Sequence, residues 1–350
     1  MPASDQSSAV RASRAPRAPA PPPPPLPGVD GHHLCVLASG SSGNCSVLLT
    51  RRGEITRYSL IDLGLSPKRV FAMLGAIGLR PDQLDDCLVT HLDHDHFHAG
   101  WIAHGPPHPQ ARLILSDRHA HAADEFGRLQ APSAVRKQRT AWRTFAFEAP
   151  GHGPAAEFVL QPGVRVHPIM LSHDELGVAA FRIELEDVQR GAPGHVMGFA
   201  TDLGRTTPAL VDHFRGVHTL AIESNYCPEM QHSSLRPAGL KDRIMNGSGH
   251  LSNQEALAFI AEIEPGEGGG FGPQHVVLLH LSRDCNHPDV VGALHAGSDY
   301  ALTIASQFAP TRWIRLGHHA GARESRPVVQ VRKVSARPAE VAATPLLWGA

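Results

Sequence analysis

Between His91 and His98 the chain reads His91-Leu92-Asp93-His94-Asp95-His96-Phe97-His98, four imidazoles and two carboxylates in eight positions. The apolar run Cys87-Leu88-Val89-Thr90 leads directly into it, so a strand delivers the cluster at its end. Uncompensated charge beside a core is costly, and a bound cation is the usual compensation. Histidine and carboxylate, with no cysteine inside the cluster, suit Zn²⁺, Mn²⁺ or Fe²⁺ held for catalysis rather than a closed thiolate site. The bland alternative, a polar surface loop, leaves unexplained why similar residues end strands far along the chain.

Those strands belong to a region, residues 31–316, that alternates short β-type runs with helical stretches. Strands are predicted at 33–37, 45–49, 58–62, 86–90, 113–115, 164–169, 178–185, 196–201, 219–223, 275–279 and 312–316. Helical spacing marks 66–77, with Val70, Met73, Leu74 and Ile77 on one face, and 119–129. A third helix is predicted over 252–263, where Ser252 can cap and Glu255 sits three residues on. Strand ends then carry His173, Asp202, Asn225 and His280 as well as the 91–96 cluster. An αβ protein builds one site in this way, from loops along a common edge. His91 and Asp93 can meet one cation, and Asp95 and His96 a second. Asp202 is the natural bridging carboxylate, with His173 and His280 completing opposite sides. A hydroxide held between two such ions would be the nucleophile.

The rest of the composition sets limits. A 350-residue chain with 42% hydrophobic and 19% charged residues has ample material for a core. A net charge of −1 gives no global attraction for a polyanion, although a local basic groove can hide in a neutral total. Five scattered cysteines without a CxxC pair argue against a disulfide framework and fit a reducing cytoplasm. No stretch reads as a transmembrane helix or a signal peptide, so no membrane role is expected. Residues 1–30, with the run Pro21 to Pro25, read as a disordered Pro/Ala-rich leader, and 317–350 as a flexible tail.

The loop Thr90-His91-Leu92-Asp93-His94-Asp95-His96 resembles the HxHxDH signature of the metallo-β-lactamase superfamily. Further pieces stand in an order similar to that of its YycJ/WalJ-type group. They are ASGSSGNCS at 38–46, LIDLGLS at 60–66, LSHD at 171–174, ATDLG at 200–204, ESNY at 223–226, GHLSNQEA at 249–256 and LLHLSRDCNHP at 278–288. The resemblance covers about residues 33–316 and implies an αββα sandwich, two mixed β-sheets flanked by helices. It also implies two divalent ions (Zn, Mn or Fe) and hydrolysis of nucleic acid, 5′-to-3′ on double-stranded DNA. Carried over by position, His91, Asp93 and His173 would hold one metal. Asp95, His96 and His280 would hold the other, with Asp202 bridging. Asp95 would orient or deprotonate the nucleophile. His250 and Asn225 would touch the substrate or leaving group, and Ser41 and Asn44 lie in a turn able to cradle phosphate.

Two departures matter. The second histidine of the superfamily signature is Asp93 here. Either this shorter, harder anion ligates, favouring Mn²⁺ or Fe²⁺ over Zn²⁺, or His94 ligates through a distorted loop. Tyr226 stands where related sequences commonly carry histidine. The remaining histidine pairs, His32-His33, His119 with His121 and His318-His319, read as surface residues, and Arg136-Lys137-Gln138-Arg139 as a solvated basic patch. Two other functions stay open: a hydrolase of the same fold acting on a small thioester, lactone or lactam, and a non-catalytic metal-binding regulatory protein.

Overall fold

A computed structural model describes residues 22–130, 142–149, 152–173, 175–187, 193–264 and 272–317. The leader through Pro21, the basic patch at 136–139, His318-His319 and the tail from 318 lie outside the described residues. In the first strand, Gly31–Ala38 (β1), alternate side chains serve different layers, as strand geometry requires. Leu34 and Val36 enter a core shared with the second half of the chain. Cys35 and Leu37 pack beneath helices on the other face.

The first half continues with β2 (Cys45–Arg52), β3 (Ile55–Ile61), β4 (Leu84–Leu88), β5 (Arg112–Ser116) and β6 (Arg143–Phe147). The second contributes β7 (Gly153–Pro154), β8 (Phe158–Gln161), β9 (Val164–Leu171), β10 (Val178–Glu186), β11 (Pro193–Ala200), β12 (Thr219–Glu223), β13 (His275–Leu279) and β14 (Ala301–Ile304). A closing strand, β15 (Ile314–Leu316), returns to pair with β1. Helices α1 (Pro67–Ala76), α2 (Gly100–His104) and α3 (Asp117–Gln130) belong to the first half. Helices α4 (Pro208–Phe214), α5 (Pro228–Ser233), α6 (Ala238–Met245), α7 (Asn253–Glu262) and α8 (Pro288–Leu294) belong to the second.

One sheet runs β15-β1-β2-β3-β4-β5-β6, the other β14-β13-β12-β11-β10-β9-β7 with β8 also on β9. Both are mixed in the same manner. β15, β1, β2 and β3 are antiparallel neighbours, whereas β3 to β6 are parallel. Likewise β9, β10 and β11 are antiparallel and β11 to β14 parallel. The inner faces meet in one apolar layer that includes Ile61, Leu88, Phe181, Ile183, Met197 and Phe199. Trp101, Val70 and Leu74 cover one outer face, and Leu210, Phe214, Phe259 and Val291 the other. The architecture is thus the expected αββα sandwich. Burying a side chain such as Phe181 contributes roughly 1.5–3 kcal/mol.

Parallel strands bring their C-terminal ends to one edge, where open αβ sheets bind ligands. Here β3 and β13 end immediately before Asp62 and His280, and β4, β11 and β12 end one or two residues short of the 91–96 loop, Asp202 and Asn225. Among the described residues, only Asp62 (φ 64°), Asp202 (φ 52°) and His280 (φ 54°) combine a side chain with a positive φ. Such backbone is uncommon for non-glycine residues and clusters at functional sites.

Several expectations need correction. β4 ends at Leu88, two residues short of the expected boundary, and β15 begins at Ile314 rather than Arg312. β6, β7, β8 and β14 escaped the reading because they are short or exposed and lack a clear alternation. His32, His33 and His119 are buried rather than surface residues. β1 lies between β15 and β2, which covers the first two. His32 is satisfied by Thr50 Oγ1 and the Glu186 carbonyl, both at 2.9 Å. His119 Nδ1 lies 2.7 Å from Ser116 Oγ. The capping box of α7 forms as expected: Glu255 N–H donates to Ser252 Oγ, and Ser252 N–H to Glu255 Oε2. No helix among the described residues is long and apolar enough to cross a membrane.

Candidate metal centre

The turn after β3 places Asp62 behind the 91–96 loop. Its Oδ1 accepts from Thr90 N–H at 2.8 Å and from Thr90 Oγ1 at 2.9 Å. Its Oδ2 accepts from His96 Nδ1 at 2.7 Å. Because the Thr90 hydroxyl donates to Asp62, its lone pair can accept from His91 Nδ1, 2.9 Å away. One buried carboxylate thereby assigns the protons of two imidazoles to Nδ1 and leaves both Nε2 atoms as ligand lone pairs.

Both Nε2 atoms face Asp202. His96 Nε2 lies 2.5 Å and His91 Nε2 3.4 Å from Asp202 Oδ2. The other Asp202 oxygen faces His280 Nδ1 at 2.8 Å and His250 Nδ1 at 3.1 Å. Among the described residues four ligand groups assemble here, with ligand atoms lying within 4.8 Å of one another in each: His91, Asp93 and His173; Asp95, His96 and His280; and, including this carboxylate, His91, His96 and Asp202, and Asp202, Glu223, His250 and His280. Asp93 Oδ2 is 3.9 Å from His91 Nε2 and 3.8 Å from His173 Nε2. Asp95 Oδ2 is 3.2 Å from His280 Nε2. His94, the alternative to Asp93, points to solvent with 89% of its side chain exposed. His98 accepts from the Gly100 N–H through Nδ1 and belongs to none of these groups.

The electrostatics are those of a site short of positive charge. Burial alone would lower the imidazoles, yet Asp202 and Asp62 outweigh it and raise His96 to about 10. Burial is likewise outweighed at His280 by Asp202 and Asp95, and the ring is held well above its ordinary value. Burial and the neighbouring His96 push His91 well below the ordinary value, so it is neutral and ready to ligate. Asp202 stays ionised against burial because His280 and His96 face it. His91 Nε2 is buried and makes no hydrogen bond. Nitrogen and carboxylate donors around excess negative charge, one of them orphaned in this way, fit divalent Zn²⁺, Mn²⁺ or Fe²⁺.

Two residues expected to touch substrate also hold the frame. Asn44 accepts from Ser39 Oγ and Gly40 N–H, donates to the Gly40 and Asp95 carbonyls, and brings Nδ2 within 2.9 Å of His96 Nε2, so its amide braces the loop and reaches a ligand atom. Asn225 donates from Nδ2 to the His280 carbonyl at 2.8 Å, fixing that ligand's backbone. Ser41 is exposed at the tip of the turn. Tyr226 is buried beside Ile244 and Cys285, a packing residue. His250, part-exposed, sits between Asp202 and a carboxylate the sequence reading passed over, Glu223. Glu223 is fully buried at the end of β12 and accepts from Leu203 N–H at 2.6 Å and Leu251 N–H at 3.0 Å. Asp62 was also missed as a site residue. The signal for both was the one that found Asp202, a carboxylate closing an apolar strand.

Two stacked mixed sheets with a histidine–carboxylate centre at their shared edge define the metallo-β-lactamase fold, and solved structures agree. The metallo-β-lactamase fold protein YhfI from Bacillus subtilis superposes with a TM-score of 0.50 at 15% identity, over 80% of this chain and 99% of that one. Human tRNase Z, short form, superposes with a TM-score of 0.51 at 13% identity, over 80% and 98%. No family model matches the sequence. In sequence the chain is similar to the WalJ/YycJ proteins. It is 26% identical over 257 residues to exodeoxyribonuclease WalJ of Streptococcus pneumoniae, covering 73% of this chain and 84% of that one. It is 24% identical over 263 residues to exodeoxyribonuclease YycJ of Bacillus anthracis, covering 73% and 84%.

Proposed function

We propose that this chain is a dinuclear metal-dependent phosphodiesterase that degrades DNA from an end, acting in the cytoplasm. The observation that carries the reading is the convergence of six ligand side chains, from loops of both sheets, around Asp202. The sequence relatives, both named exodeoxyribonucleases, support DNA as substrate. His91, Asp93 and His173 would hold one ion, Asp95, His96 and His280 the other, and Asp202 both. Asp93 in place of a histidine favours Mn²⁺ or Fe²⁺ over Zn²⁺. Bound there, the ions supply Lewis acidity toward a phosphoryl oxygen and bring the pKa of water toward neutrality.

The protein's own groups supply the proton traffic. Asp95, buried in the ligand loop, is kept ionised against burial by His280 and His96 and can orient an attacking water and accept its proton. Burial opposes protonation of His250, but the facing carboxylates of Asp202 and Glu223 raise it to about 9. At the partly exposed side of the site, between two carboxylates that favour its charged form, it is placed to hold a proton and hand it to the leaving oxygen. Glu223, locked by two backbone N–H groups, holds that ring in place.

Asp202→Ala should abolish metal-dependent cleavage of duplex DNA. Purified, metal-reconstituted mutant protein that cleaves at the wild-type rate would remove the reading. The near-neutral charge keeps a small-ester hydrolase as the second reading. Turnover of a polyanion should fall steeply with added salt, whereas turnover of a small ester should not.

A further inference from the structure

Asn225 and His250 bracket a segment, residues 226–249, that contains α5 and α6 and is fixed to the metal centre at both ends. Between the two helices, Arg236 donates from Nη2 to Ser282 Oγ at 3.2 Å and to Asp284 Oδ2 at 3.4 Å. Its Nη1 donates to Gln231 Oε1 at 3.2 Å. Ser282 is two residues beyond His280, no more than about 7 Å along the chain, and its N–H donates to the Asn225 carbonyl at 2.7 Å. At the other end, His250 N–H donates to the Ile244 carbonyl at 3.1 Å.

The residue that this frame presents is Leu235. Its relative exposure is 103%, the highest of any large apolar side chain among the described residues. A lone exposed leucine needs no explanation by itself. This one stands on backbone braced by an arginine that is only 22% exposed and that reaches the loop of ligand His280. A second apolar side chain, Leu240, is exposed on α6, next to Lys241 and close to Arg243. The segment carries Arg236, Lys241 and Arg243 against Glu229 and Asp242, in a protein whose total charge is −1.

Apolar side chains inserted between base steps are how proteins unstack and part a duplex, with cations holding the flanking phosphates. We propose that Leu235 is a wedge that opens the terminal base pair of a DNA duplex, and that Lys241 and Arg243 hold the backbone beside it. The proposal rests on the DNA-degrading reading above. An enzyme that works from an end must lead one strand to its metal centre, and an apolar side chain on backbone tied through Arg236 to the loop of ligand His280 can separate the strands without contributing to the chemistry.

The test compares wild type with Leu235→Ser, both metal-loaded, on three substrates. They are a blunt duplex, the same duplex with mismatched terminal pairs, and the small diester bis(p-nitrophenyl) phosphate. The variant should cleave the blunt duplex about tenfold more slowly and match wild type on the other two. Equal rates on all three overturn the wedge and leave the DNA reading standing. A uniform loss on all three also overturns it, marking the loop as support for the metal centre. Wild-type protein that leaves both DNAs intact overturns the DNA reading, and the wedge with it.

Discussion

Asp62 offers the sharpest perturbation of the centre, because it ligates nothing in the proposed scheme yet sets the protonation of two ligands. In Asp62→Asn the side chain keeps its volume, and asparagine tolerates the positive φ of 64°. The amide oxygen can still accept from Thr90 N–H, which Asp62 holds at 2.8 Å. The amide nitrogen must then face His96 Nδ1, which donates to Asp62 at 2.7 Å in the native protein. Two donors cannot share that contact, so the His96 proton moves to Nε2, the atom that faces Asp202 and would face the metal. Loss of such an outer partner typically costs 10–100-fold in metal affinity, about 1.4–2.8 kcal/mol. The effect should fall mainly on the site made by Asp95, His96 and His280. His91, which reaches Asp62 only through the Thr90 hydroxyl, should weaken less. The assay is competition between apo-protein and a chromophoric chelator for Mn²⁺ or Zn²⁺, run beside a thermal melt. Unchanged affinity at both sites, with or without a lowered melting temperature, would refute the tautomer argument and leave Asp62 a purely structural residue.

Two further outcomes follow from packing and burial. At Gly64 an added Cβ would lie 1.7 Å from the Asp95 carbonyl oxygen and 2.7 Å from Asn44 N, both backbone atoms of the ligand loop or its brace. Gly64→Ala should therefore displace the 91–96 loop and lower metal affinity at least tenfold, and wild-type metal binding by chelator competition would contradict the close packing. His32 is held at about 4 by burial, against 6.5 for an exposed ring. The unfolded chain thus binds the extra proton between these values, and stability should fall as pH drops from 6.5 toward 4, by on the order of 3 kcal/mol for this residue. Urea unfolding across that window should show the loss, and His32→Gln should flatten it; an unchanged slope in the variant would exclude His32 as its source.

What the sequence made legible, and what it did not, divides along a physical line. Periodicity marks His91, Asp202 and His280 as polar groups that follow apolar runs, but the family resemblance is needed to read Asp202 as a ligand rather than a turn residue and to assign Asp93, Asp95, His96 and His173. Asp62 and Glu223 close such runs too, but what they do depends on which strand lies alongside. Asp62 reaches Thr90 because β3 pairs in parallel with β4, and Glu223 reaches Leu203 and His250 because β12 lies between β11 and β13. No local pattern encodes that neighbourhood. It also exposes a correspondence between the halves. Asp62 follows β3 and Asp202 follows β11, each at the point where its sheet turns from antiparallel to parallel pairing, and each has a positive φ. The same strained position yields opposite duties: one carboxylate is sealed behind the imidazoles and fixes their protons, and the other stands in front of them and collects the charge. A metal-centred reading requires that asymmetry, since a carboxylate facing Nδ1 orients a ligand, whereas one facing two Nε2 atoms at 2.5 and 3.4 Å is placed to bridge the two ions that those atoms would hold.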